Sequence, residues 1–145
     1  MKKPPLGGAI VLADKSAVSR AEHPSVRQEI VDAFNARQIV TCSIVTLELM
    51  YSARNVQELE DFDATQSMLR DIPMTDSIHR AALTAIRELA LRGAGRHRVP
   101  VVDVLIAAAA QEAGIGVLHY DHDFDRLAEV LHFSSVWLAP VGSLA

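Results

Sequence analysis

The chain has 145 residues, 50% of them hydrophobic, 22% charged and 5% aromatic, and its 14 Lys and Arg against 18 Asp and Glu give a formal charge of -4. That length supports one domain with a core that needs no staples, and so much apolar character at low net charge excludes a disordered chain. No global basic field is present to draw nucleic acid, so an anionic substrate requires a local device.

The opening MKKPPLGGAIVLAD has an apolar run too short for a signal peptide, interrupted at Asp14, and Cys42 is the one cysteine. Together these predict a reducing, cytoplasmic setting. Every other apolar run is broken well before the ~20 residues that a membrane helix needs, so no membrane association is expected.

In chain order, residues 1–8 read as a flexible leader, and Ala9 to Ala13 (AIVLA) reads as a buried strand after Pro4, Pro5, Gly7 and Gly8. A helical pattern follows from about Pro24, with Val26, Ile30 and Phe34 on one side. Ile39 to Cys42 is a second strand, and Ser43 is placed to cap the helix IVTLELMYSAR. EDFDATQSMLRD is a helix that packs Phe62, Met68 and Leu69 and stops at Pro73. Asp76 or Ser77 then caps SIHRAALTAIRELALRG, and Gly93 ends it. After the basic loop GAGRHR, Pro100 opens the helix VVDVLIAAAAQEAG, closed by Gly114. GVLHY is a third strand, FDRLAEVL a short helix and SSVWLA a last strand. Short apolar strands alternating with longer helices predict an α/β fold, a parallel sheet flanked by helices, with ligands bound beyond the carboxyl ends of the strands.

The positions of the acids carry the functional signal, because carboxylates are depleted from strands and from apolar helix faces. Asp14 follows AIVLA, and Glu48 lies within the nearly uncharged IVTLELM. Asp103 sits between VPVV and VLIAAAA, while Asp121 follows GVLHY with Asp123 two residues on. Each has an ordinary alternative: Asp14 as a turn cap with Ser16, Asp103 as a first-turn acid favoured by the helix dipole, Glu48 as a solvated helix residue, Asp123 as a helix cap. In a parallel sheet, however, Asp14 and Asp121 leave the same edge. Clustered carboxylates repel and call for a cation, and Mg2+ or Mn2+ suits an all-oxygen set that also meets phosphate.

The segments VLADKSA, TLELMYSAR, VPVVDVLIAAAAQEAG and VLHYDHDFDRLAEV, in this order, resemble the PIN-domain ribonucleases and, among them, the VapC-type toxins of bacterial toxin-antitoxin modules. The resemblance spans nearly the whole chain. It implies a single PIN-like, Rossmann-like domain over 1–145 that cleaves RNA, commonly a tRNA or rRNA loop, to 5'-phosphate and 3'-hydroxyl ends. It further implies Asp14, Glu48, Asp103 and Asp121 as the core acids, with Asp14, Asp103, Asp121 and Asp123 as metal ligands. Glu48 would position the attacking water or act as base. A VapB-type antitoxin, a homodimer, and Ser16 bonded to the first acid or to a water of the metal belong to the same expectation. Where the family usually has Thr or another small residue, this chain has Lys15, which could contact a phosphate or point away.

The dense basic cluster Arg92–Arg98 is expected to place Arg96 and Arg98 as phosphate clamps at the rim, or else to be a solvated loop. His119, His122 and the neighbouring acids admit a second metal reading, since imidazole suits zinc, nickel or iron. A phosphoryl-accepting receiver domain lacks its late-strand lysine here. No GxxxxGK[ST] run occurs, and Asp14-Lys15-Ser16 lacks the second Asp of a haloacid-dehalogenase-like site. A non-catalytic RNA- or protein-binding module of the same fold is the alternative to the enzyme.

Overall fold

A computed structural model describes residues 3–144. Five short strands form one sheet: β1 (Val11–Ala13), β2 (Ile39–Thr41), β3 (Arg70–Asp71), β4 (Gly116–His119) and β5 (Ser135–Trp137). Their order is β3-β2-β1-β4-β5 and every pairing is parallel. Helical crossovers α1 (Lys15–Val18), α2 (Arg27–Asn35), α3 (Ser43–Ser52), α4 (Val56–Ser67), α5 (Asp76–Arg92), α6 (Val101–Ala113) and α7 (Asp123–Leu127) supply the returns that parallel strands require.

Alternation along the strands divides the core into two layers. Leu12, Val40 and Val117 join Val45, Leu49, Ala85, Leu89, Ile106 and Phe124 on one face. Val11, Ala13, Ile39 and Leu118 pack with Ala17 and Ala33 on the other. Both faces of the central strands β1, β2 and β4 are covered, and these three are buried throughout and mostly apolar, as the middle of a parallel sheet demands. The α6 run Ala107–Ala110 is fully buried, its small side chains letting the helix lie close to the sheet. Gly114 ends it in the left-handed region at φ 70°.

Several expectations change. Residues 5–8 are a structured 3-10 turn: Gln38 Nε2 donates to the carbonyls of Pro5 and Ala9 at 2.7 and 2.8 Å, and Leu6 N donates to Glu29 Oε1. Residues 1 and 2 of the expected leader lie outside the described residues. Strand β3 went unforeseen because its two exposed polar residues carry no apolar signal. Ser43 is the first residue of α3 and caps nothing; Thr75 caps α5 through Ile78 N, displacing Asp76 and Ser77, and α4 begins earlier, capped by Asn55. Met68 is 71% exposed, because α4 ends just before it and the chain turns there into β3.

Candidate metal centre

The sheet order reverses between β1 and β4, and this switch point is where the acids converge. Asp14 stands at the end of β1 and Asp121 just beyond β4. α3, which leaves β2, brings Glu48, and the first turn of α6 brings Asp103. Ligand oxygens of Asp14, Glu48 and Asp103 lie within 4.8 Å of one another, as do those of Asp103, Asp121 and Asp123. Asp103 is common to both groups. All five acids singled out from the sequence therefore meet, and Glu48, expected only to act on water, is near enough to share an ion.

Asp14 serves its local backbone as well as the cluster. Its Oδ2 accepts from Ser16 N at 2.9 Å and Ser16 Oγ at 2.6 Å, which caps α1, while its Oδ1 is enclosed with no hydrogen-bond partner. Ser16 Oγ in turn accepts from Tyr120 N at 2.9 Å and ties the β1 acid to the β4 loop. Glu48 Oε1 is likewise buried and unpartnered. A buried acceptor left bare costs about 1–3 kcal/mol, more when charged, so two such oxygens in one cleft fit a cation.

The electrostatics agree. Burial, then repulsion from Asp14, Asp121, Glu48 and Asp123, pushes the Asp103 carboxyl up to about 8. The dipole of α6 favours the anion by 2 kcal/mol at most, about 1.5 pH units, and is outweighed. Burial also raises Asp14, against the opposing hydrogen bonds from Ser16, and raises Glu48, where Asp14 adds to the effect and Lys15 opposes it. Asp123 is raised by burial and by Asp121. Without a cation the set cannot be fully ionised near neutral pH.

His119 is not available to a metal. It is fully buried, its Nδ1 accepts from Asp121 N at 3.1 Å and its Nε2 lies 2.6 Å from Ser135 Oγ. Burial pushes the ring down to about 4. His122 is exposed, and the metal-competent groups among the described residues contain only carboxylates, which removes the imidazole reading. The first turn of α7 is held by Asp121 Oδ1, which accepts from Asp123 N, and not by Asp123 as a cap. In the basic loop, Arg96 is ion-paired with Glu129 beyond α7, so its guanidinium is already engaged, and Arg98 is exposed. Sequence reading passed over the C-terminal tail: Leu144 is buried and its N–H donates to Tyr120 Oη at 2.8 Å beside the acid loop. No local pattern marks that contact.

Residues 11–130, which hold all five of these acids, match the model of the PIN domain, and the chain belongs to that family. Ribonuclease VapC51 of Mycobacterium tuberculosis is 38% identical over 133 residues, covering 92% of this chain and 96% of the relative; Ribonuclease VapC18 of the same organism is 34% identical over 136 residues, covering 93% and 99%. With these relatives the chain is a ribonuclease of the VapC type. Among solved structures, DNA-bound VapBC from Salmonella typhimurium superposes with a TM-score of 0.73 at 19% identity, covering 90% of this chain and 99% of that one, which shows the shared fold. No helix among the described residues is long and apolar enough to cross a membrane.

Proposed function

We propose that the protein is an endoribonuclease toxin acting in the cytoplasm as one PIN-like unit, dependent on Mg2+ or Mn2+, that hydrolyses tRNA or rRNA loops to 5'-phosphate and 3'-hydroxyl ends. The observation that carries this reading is the pair of enclosed, unpartnered oxygens, Asp14 Oδ1 and Glu48 Oε1, on two carboxylates grouped within 4.8 Å of Asp103, whose carboxyl is raised to about 8. All-oxygen ligands suit a hard divalent ion. Asp14, Glu48 and Asp103 would hold one ion, and Asp103, Asp121 and Asp123 are placed to hold a second.

Such an ion, when bound, supplies positive charge that stabilises the extra negative charge gathering on the phosphate. The residues supply the rest. Asp14, fixed by Ser16, and Asp103, on a rigid buried helix, set where the phosphate can sit. Glu48, raised by burial, accepts the proton of the attacking water. As the water oxygen bonds to phosphorus the bond to the 3' oxygen breaks, and that oxygen takes a proton from solvent. Lys15 offers a cation to a neighbouring phosphate. Arg98 contacts the strand backbone at the rim, with Arg96 secondary because Glu129 holds it.

A VapB-type antitoxin is the proposed inhibitor, in a homodimeric assembly. The antitoxin part of this reading is supported by the solved neighbours, one of which is VapBC2 from Rickettsia felis bound to promoter DNA, at a TM-score of 0.67. An apolar groove of about 380 Å3, lined by Ala17, Ala21, Ile30, Phe34, Phe62 and Leu69, offers an amphipathic partner segment a seat. The test is incubation of total tRNA and rRNA with wild type and Asp103→Asn in Mg2+, Mn2+ or EDTA, with new 5' ends mapped. Discrete metal-dependent cuts lost in the variant are expected. Cuts that persist in the variant would overturn the assignment, and their absence under either metal would favour the non-catalytic module.

A further inference from the structure

We infer that a hydrogen-bonded clamp from β5, running from Asp125 through Ser135 to His119, positions Asp121 and Asp123, making His119 and Ser135 positioning residues of the site. The inference rests on the metal reading proposed above. It starts from directional bonds that leave one consistent assignment of protons. Asp121 N–H donates to His119 Nδ1, so the ring proton of the neutral imidazole is on Nε2. Nε2 then donates to Ser135 Oγ at 2.6 Å, and Ser135 Oγ donates its own proton to Asp125 Oδ1 at 2.7 Å. Trp137 Nε1 donates to both oxygens of Asp125, at 3.2 and 3.1 Å. The imidazole is gripped by stacking on Phe124 and by the edge of Trp137, both with centroids 4.9 Å away.

Asp121 and Asp125 bound a five-residue stretch, the loop after β4 running into the first turn of α7, that carries Asp121 and Asp123, and its two ends are tied to β4 and β5. Asp121 Oδ1 holds Asp123 N between them. The loop needs such tethers. Its two carboxylates lie within ligand distance of each other and of Asp103, yet both are only partly buried. Like charges so placed relax by swinging into solvent, which an untethered loop allows. Held in place, they meet an incoming cation without first paying for their own ordering. Ser135 fits this role and little else: a half-buried strand position against aromatic rings would ordinarily favour an apolar or β-branched side chain.

The experiment is Mn2+ titration of the full chain by calorimetry, for wild type, Ser135→Ala, Ser135→Thr and Asp125→Ala, with amide NMR shifts of Asp121 and Asp123 in the metal-free protein. Ser135→Ala is expected to weaken Mn2+ about tenfold. It should also shift both amides and raise the Mn2+ needed for half-maximal RNA cleavage by the same factor, with KM for RNA unchanged. Ser135→Thr, which keeps the hydroxyl, should restore wild-type binding, and Asp125→Ala, an exposed position, should weaken it if Ser135→Ala fails to fold. Wild-type Mn2+ binding in Ser135→Ala, or equal losses in the Ala and Thr variants, would overturn the clamp alone. Absence of Mn2+ binding by the wild type would remove the metal reading itself, and the clamp with it.

Discussion

Replacing Asp103 by Asn should inactivate the enzyme and, in the absence of metal, stabilise the fold. The carboxyl titrates near 3.8 in the unfolded chain and is pushed up to about 8 in the folded one. Between these values the folded state holds a proton that the unfolded state has released, so stability falls as pH rises, by about 1.4 kcal/mol per pH unit. Below pH 3.8 the penalty is absent, and above about 8 it is complete and constant. At pH 7 the interval is about 3 units and the penalty about 4 kcal/mol, an upper figure for a group only 6% exposed. Asn has nearly the same shape and no charge, so the variant escapes that cost, equivalent to roughly 10 °C in Tm for a domain of this size. Urea unfolding of both proteins in EDTA at pH 4.5, 7 and 8.5 measures it. The gap should be small at pH 4.5 and open by pH 7. A variant no more stable than wild type at pH 7 and 8.5 would refute the reasoning, because Asp103 would then not be the strained acid of the cluster.

The same protonation links metal to pH. Mn2+ binding at pH 7 should release about one proton, chiefly from Asp103, and should strengthen with pH until about 8 and then level off; calorimetry in buffers of different ionisation enthalpy counts the proton. Ser16→Ala removes both the hydroxyl bond to Asp14 and the acceptor of Tyr120 N, and should cost about 1–3 kcal/mol in chemical denaturation and lower cleavage, whereas Ser16→Thr should retain most of both. Arg98→Ala should weaken RNA binding and lower the slope of log affinity against log salt by about one, and Arg96→Ala should change it less because Glu129 already neutralises that guanidinium. Equal slopes for Arg98→Ala and wild type would return the basic loop to an ordinary solvated surface.

Much of this molecule is local information. Short apolar runs such as AIVLA and GVL, bounded by Gly, Pro or Asp, mark strands buried on both faces, since a strand covered on both sides has no polar face to alternate with, and Gly114 marks a helix end because its φ is positive. Asp14, Glu48, Asp103, Asp121 and Asp123 stand out in sequence because a charge in an apolar segment opposes burial unless something is gained. What the local pattern lacks is partnership. The two-residue β3 is defined by its pairing with β2, and Thr75 outcompetes Asp76 and Ser77 as a cap through where the chain enters α5.

The same limit applies within the site. That the five acids divide into two groups sharing Asp103, that Arg96 is engaged by Glu129, and that His119 holds a loop and binds no metal all depend on side chains from segments distant in sequence. Residue type and spacing determine which groups this chain can bring to a site. Only the sheet order, by setting β1 beside β4 and α6 beneath both, decides which carboxylates come close enough to repel, and so which protons the folded state must hold.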